Sequence, residues 1–224
     1  MKSFLDRLSY FIPRYAWLPL LLLAAMNPIC YQIPKLIIRN WDIPFVSTAL
    51  DDALPLVPFF IYFYWLSYAQ WIVSYVVTTR DSRELCFRFT ASVVLAKLIG
   101  ASILLLYPTI MVRPIVRVTD FTTWLLNFTY SCDAPTTLFP SFHCLASWFC
   151  FRSSIGLKRT PRWYIWAQAV VTLLVFASVV LVKQHIWPDI IGGVAVAELG
   201  ILLNRVLHLD RLIAKLDLSA RSRV

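Results

Sequence analysis

Charge is scarce in this chain. Only 15% of its 224 residues are charged, 59% are hydrophobic, and the mean hydropathy is +0.69. Water-soluble domains average about 45–50% apolar residues, so this composition excludes an ordinary soluble domain and points to a membrane protein. Acidic residues are scarcer than basic ones, 12 against 21, which leaves a net charge of +9. That excess does not call for nucleic acid, because basic residues kept on the cytoplasmic flanks of membrane spans give the same total. The five cysteines show no CxxC spacing and no Cys/His metal pattern. Cys30, Cys86, Cys144 and Cys150 fall in or beside apolar runs, where cysteine packs as a small apolar residue, and Cys132 lies in a loop. Internal repeats and low-complexity segments are missing, and 5 Gly with 13 Pro do not suggest disorder. No small-residue cleavage site follows the first apolar run, so the first span is expected to stay.

Long, continuous apolar runs are what the chain has. They do not alternate with polar residues, which excludes membrane strands. A helix needs about twenty apolar residues to cross the hydrocarbon core. On that scale the sequence predicts six spans: Tyr15–Ile33, Pro55–Val77, Phe89–Pro108, Ser141–Leu157, Trp163–Val182 and Trp187–Val206. The expected fold is all-α, one polytopic six-helix transmembrane bundle over residues 1–224 with short interfacial helices. Two stretches suit the interface. Phe4, Leu5, Leu8, Phe11 and Ile12 share one helical face, and Phe121, Trp124, Leu125 and Phe128 do so after a helix start at Thr119-Asp120.

The basic residues test this count. Lys2, Arg7 and Arg14 precede the first span, and Arg80, Arg83 and Arg88 lie between the second and third. Arg152, Lys158, Arg159 and Arg162 surround the fourth-to-fifth connection, and Arg205, Arg211, Lys215, Arg221 and Arg223 follow the sixth. These belong on one side, which makes both termini cytoplasmic. Lys35, Arg39, Arg113, Arg117 and Lys183 remain for the other side.

Only three residues are histidine, and two of them stand in polar clusters at the ends of apolar runs on that other side. His143 lies in Phe139-Pro140-Ser141-Phe142-His143. Proline suits the first turn of a helix, whose free N–H groups favour an anion, and Ser141 adds a hydroxyl. A phosphate is the natural guest, and a capped helix with an interfacial histidine is the plainer alternative. His185 and Asp189 stand four residues apart, and Pro188 puts the helix start near Trp187, so the pair meets across that turn. A carboxylate on one ring nitrogen fixes the tautomer and frees the other as a nucleophile or base. Lys183 supplies a cation just ahead, and Arg113 offers a planar fork suited to phosphate oxygens. A Lys183–Asp189 surface pair is the plainer reading of the second cluster. Lys97 lies well inside the third span, where an ion pair with Glu198 of the sixth is preferred over a functional role. Gly192-Gly193 suits close helix packing. His208 takes no role.

These residues resemble the type 2 phosphatidic acid phosphatase superfamily, integral-membrane lipid phosphatases and phosphotransferases, over residues 107–198. The family carries Lys-x6-Arg-Pro, Pro-Ser-x-His and Ser-Arg-x5-His-x3-Asp. Pro140, Ser141 and His143 match the second motif, Ser178, His185 and Asp189 match the third, and Arg113 and Pro114 match the end of the first. The first motif's lysine falls at Leu106 and the third's arginine at Val179, so two phosphate-holding cations are missing. The resemblance implies that His185 attacks phosphorus, Asp189 orients it, and His143 protonates the leaving oxygen. Arg113, Lys183, Ser141 and Ser178 are then expected to hold the phosphoryl oxygens, with no metal and no cofactor. The implied substrate is a lipid phosphate or prenyl diphosphate at the extracytoplasmic face of the plasma membrane: phosphatidic acid, phosphatidylglycerol phosphate or undecaprenyl diphosphate. Two alternatives stand beside hydrolysis. One is transfer to an alcohol, as in enzymes resembling sphingomyelin or inositol phosphorylceramide synthases. The other is a catalytically silent lipid-binding protein that has lost its cations.

Overall fold

The computed structural model describes residues 9–215 and Asp217. The expected contributions of Lys2, Phe4, Leu5, Arg7, Leu8, Arg221 and Arg223 lie outside the described residues. The elements are α1 (Trp17–Ile38), α2 (Ala49–Ala53), α3 (Ile61–Asp81), α4 (Arg83–Leu106), α5 (Phe121–Cys132), α6 (Phe142–Ser154), α7 (Trp163–Leu181), α8 (Trp187–Leu207) and α9 (Asp210–Lys215). Among the described residues there is no strand, only isolated bridges that join Ile110 to Phe45 and Thr136.

Four segments are long and apolar enough to cross a membrane: Arg14–Ile38, α4, α7 and α8. The six crossings expected from the sequence therefore reduce to four that length and hydropathy support by themselves. The other two fall short for different reasons. α6 has 13 residues, about 20 Å at 1.5 Å per residue, against a hydrocarbon core of about 30 Å. α3 has 21 residues but carries Ser67, Gln70, Ser74 and Thr78 along one face. Those side chains point inward. Gln70 donates to Gln168 and Thr172 (both 3.0 Å), Ser74 meets Tyr164 (3.1 Å) and Thr78 meets Ser153 (2.9 Å). α3 is thus polar on the face it buries, and summed hydropathy understates how well it suits an apolar surround.

The helices pack in an order set by small residues. α4 lies against both α1 and α8, and α6 against α7 and α8. A Cβ on Gly200 of α8 would stand 2.7 Å from Ala96 Cβ and 2.8 Å from the Ser92 carbonyl of α4. A Cβ on Gly193 would stand 2.6 Å from the Ser141 carbonyl at the start of α6. The expected close packing at Gly192-Gly193 is therefore present. The expected Lys97–Glu198 pair is not. Glu198 accepts from Arg152 Nε (2.5 Å) and Trp148 Nε1 (2.8 Å) of α6. Gly200 faces α4, and two positions on a helix differ by about 200°, which turns Glu198 away from Lys97. Lys97 is buried, its Nζ 5.9 Å from the Tyr75 ring centroid.

α4 runs opposite to α8 and α3 opposite to α7, whereas α6 runs parallel to both α3 and α8, and the bundle has two unlike ends. Arg14, Arg80, Arg83, Arg88, Arg152, Lys158, Arg159, Arg162, Arg205, Arg211 and Lys215 collect at one. The other gathers the segment with α2, the loop 107–120, α5, the start of α6 and the turn between α7 and α8. α5 begins at a capping box in which Asp120 accepts from Thr123 N at 2.8 Å. It exposes Phe121, Trp124 and Phe128, stacked at 5.5 and 5.6 Å between centroids, as an interfacial helix does.

Candidate active site

The turn after α7 sets the position of His185. Val179 O accepts from both Gln184 N and His185 N (2.9 Å each), and Lys183 stands just before them at φ 53°. The left-handed residue closes α7 and reverses the chain, as a helix C-cap does. Four residues on, α8 begins at Trp187-Pro188, where proline's missing N–H costs nothing. Asp189 sits in that first turn. Its Oδ2 accepts from Ile186 N and faces His185 Nδ1, both at 3.1 Å. An ionised carboxylate only accepts, so this contact assigns the proton to Nδ1 and leaves the lone pair on Nε2. Both side chains are buried, His185 at 5% and Asp189 at 0% exposure.

The start of α6 brings the second imidazole. Ser141 caps the helix by accepting from Cys144 N (3.3 Å), and its own N–H donates to Asp189 O (3.1 Å), which ties the two helix starts together. His143 stacks on Tyr64 of α3 (centroids 4.2 Å) and touches Tyr68 and Trp71. Its ring centroid lies 6.4 Å from that of His185, and its Nε2 is buried without a hydrogen-bond partner. His143, His185, Asp189 and Ser141 are therefore assembled as neighbours.

Arg113 joins them through the backbone. Its guanidinium donates to the Asp133 carbonyl, to Gln184 Oε1 and to the Lys183 carbonyl (3.3 Å), and lies over the Tyr130 ring at 4.8 Å. Burial pulls this guanidinium below its ordinary pKa, and the nearby Asp133 carboxylate opposes the shift. Burial pushes the Tyr130 phenol up to about 12, with Arg113 opposing.

Two expected phosphate ligands point elsewhere. The left-handed backbone at Lys183 carries its ammonium back to the Asp51 and Leu54 carbonyls (2.7 Å each). Ser178 is buried inside α7 and donates to Val175 O (2.7 Å). Residues that sequence reasoning passes over stand in support. Asp51 accepts from Trp187 N (2.9 Å) and Thr48 Oγ1 (2.6 Å), and so caps α8 from the segment with α2. The pattern Thr48-x-x-Asp51 is a helix-start signal that marks α2 but not its partner. Asp133 pairs with Lys35 and accepts from Tyr31 Oη (3.0 Å), contacts across about a hundred residues with no local pattern.

Beside the dyad, at the start of α8, a cleft of about 410 Å³ has Thr109, Phe139, Ile186 and Asp189 in its lining. A larger hollow of about 530 Å³ lies at the opposite, arginine-rich end and takes no part in the site. Among the described residues, no three His, Cys, Asp or Glu side chains gather as metal ligands.

The family model described as the PAP2 superfamily matches residues 32–203, from the last third of α1 to the last turns of α8, and takes in both histidine turns. Neither a curated protein nor a solved structure matches the chain.

Proposed function

The chain belongs to the PAP2 superfamily, and on that premise we propose that it is an integral-membrane phosphatase of lipid phosphates or prenyl diphosphates acting through a phosphohistidine. One observation carries the reading: two imidazoles 6.4 Å apart, one of them held at Nδ1 by a buried carboxylate. His185 Nε2 attacks phosphorus, the bond from phosphorus to the lipid oxygen breaks, and His143 gives that oxygen a proton. His143 next takes a proton from water, which attacks phosphorus, breaks the P–N bond and releases phosphate. Negative charge on the phosphoryl oxygens meets the remaining N–H groups of Arg113 and the free N–H groups that open α6. Ser141 belongs to this anion site. Lys183 and Ser178, expected among the phosphate ligands, brace the turn in this reading instead.

In this reading the arginine-rich end is cytoplasmic, in keeping with the retention of basic residues, and the histidine end faces the extracytoplasmic side, taken to be that of a plasma membrane. Phosphatidic acid, phosphatidylglycerol phosphate and undecaprenyl diphosphate are the substrates to test. Purified protein in detergent should release phosphate from at least one, and His185→Ala should lose about a thousandfold or more of that rate. A His185→Ala protein that keeps the wild-type rate on every substrate overturns the mechanism.

Transfer of the phosphoryl group to an alcohol is the second reading. It is favoured by the apolar cleft beside Asp189. A labelled lipid supplied with and without acceptor alcohols separates the two, as free phosphate or as a new phospholipid.

A further inference from the structure

The hollow of about 530 Å³ at the arginine-rich end opens where α4 begins and where α6 and α8 end, with α9 beside them. Arg88 of α4, Arg152 of α6, Arg205 of α8 and Arg211 of α9 all line it. Retention of basic residues accounts for arginines at this end. It does not account for four of them, from four helices, converging on one concavity. Their charge is only partly met. Arg88 Nη1 pairs with Glu84 (3.1 Å), and Arg152 gives Nε and Nη2 to Glu198 (2.5 and 3.5 Å), which leaves its Nη1. Arg205 and Arg211 make no ion pair among the described residues. Glu84 and Asp210 are the carboxylates in the lining, so guanidinium groups outnumber them. The cations are within reach of a ligand: the Arg88 and Arg152 side chains are 56% and 33% exposed, and Arg205 and Arg211 are exposed.

The walls are held without a ligand. Asn204, buried beneath the hollow, donates through Nδ2 to Arg88 O (3.2 Å) and Ser92 Oγ (3.1 Å) and accepts at Oδ1 from Asp210 N (3.0 Å). One amide thus joins α8 to α4 and to the start of α9. His208, at φ 52°, closes α8 and turns the chain back, and α9 packs on α4. A preformed concavity loses less on binding than one that must first be ordered.

Depth decides which anion fits. α4 and α8 are long and apolar enough to cross a membrane. Arg88 lies in the second turn of α4 and Arg205 in the last turn of α8, so the hollow stands at the level of phospholipid headgroups. Leu202 and Val206, about 100° round α8 from the lining residues Ile201 and Arg205, are 54% and 63% exposed. An acyl chain can lie against them while its headgroup enters the hollow. Guanidinium forks match phosphate oxygens, and basic pockets between spanning helices suit anionic headgroups.

We propose that this hollow binds the headgroup of an anionic phospholipid, its phosphate among Arg88, Arg152, Arg205 and Arg211 and its acyl chains along Leu202 and Val206. The site lies at the end of the bundle away from the histidines and does not depend on the phosphatase reading.

The test titrates the full chain, in a neutral detergent, with short-chain phosphatidylglycerol and counts bound lipid by native mass spectrometry. Phosphatidylglycerol should bind about tenfold tighter than phosphatidylcholine of the same chains. The pair Arg205→Gln and Arg211→Gln should weaken it about tenfold. The pair Lys158→Gln and Arg162→Gln removes equal charge from exposed positions at the same end but outside the hollow, and should change binding less than about twofold. His143→Ala should bind as the wild type does, which separates the hollow from the histidine end. On the unmutated chain, a phosphatidylglycerol with a diazirine in one acyl chain should cross-link at Leu202 or Val206. Equal losses from the two glutamine pairs mean general attraction to a basic surface and overturn the proposal. Equal binding of the two lipids, or cross-links confined to other faces, does the same. Displacement of the lipid by an equal concentration of inorganic phosphate makes the ligand a free phosphate and overturns the lipid assignment. No readout here involves turnover, so failure of this site and failure of the phosphatase reading are told apart.

Discussion

The His185–Asp189 contact is where one atom matters most. Asp189→Asn keeps the size of the side chain and an oxygen for Ile186 N. It removes the charge that holds the proton on Nδ1. We expect phosphate release to fall by about 10² to 10⁴ with the melting temperature little changed, measured by single-turnover release and thermal denaturation. A large loss of stability with unchanged turnover of the folded fraction would reduce Asp189 to a helix cap. Arg113 is the other residue whose chemistry is not interchangeable. Its planar fork reaches three acceptors on two segments, and an ammonium cannot span them. Arg113→Lys leaves Gln184 Oε1 or the Asp133 carbonyl unpaired, at a cost of about 1–3 kcal/mol. It should also slow release, because the turn that carries His185 loses its brace. Thermal melts and rate assays on the one variant check both, and a wild-type melt with a wild-type rate removes the bracing role.

At the scale of helices, small residues and inward polar side chains position the site. The crossing of α4 and α8 leaves no room at Gly200, whereas a Cβ on Gly156 would meet nothing nearer than 3.6 Å. Gly200→Leu should therefore destabilise the bundle by about 1–3 kcal/mol or more, and Gly156→Ala should be close to neutral. Unfolding in mixed micelles compares them, and equal effects would contradict the crossing. α3 shows why hydropathy alone misjudges a helix of this kind. Its Ser, Gln and Thr side chains form a seam with α6 and α7, so its outer face is more apolar than its average. α6 has 13 residues, and its start sets Ser141 as cap and His143 against Tyr64, Tyr68 and Trp71 of α3.

Over the whole molecule, orientation is the decisive property, and the chain carries its own reporter. Cys132 is exposed at the C-terminus of α5, at the histidine end, and Cys30, Cys86, Cys144 and Cys150 are buried. A membrane-impermeant maleimide applied to intact cells should label the wild type and fail to label Cys132→Ser. Labelling of Cys132 only after the membrane is permeabilised would put the histidine end in the cytoplasm and overturn the proposed topology.

By itself the sequence determined the membrane class, the helical fold and the two histidine turns. Each is a local property: apolar runs set by composition, Pro188 opening a helix and Pro140 standing just ahead of the Ser141 cap, and a carboxylate four residues after an imidazole. Such signals act over a few residues, within reach of one turn of backbone. The tertiary structure decided the rest. The rotation of α8 gave Glu198 to Arg152 rather than Lys97. The left-handed turn at Lys183 sent a presumed phosphate cation to the Asp51 and Leu54 carbonyls. Asp51 and Asp133 reached the site from distant segments, because partners about a hundred residues apart are chosen by which helix faces meet, and no spacing in the chain records that choice.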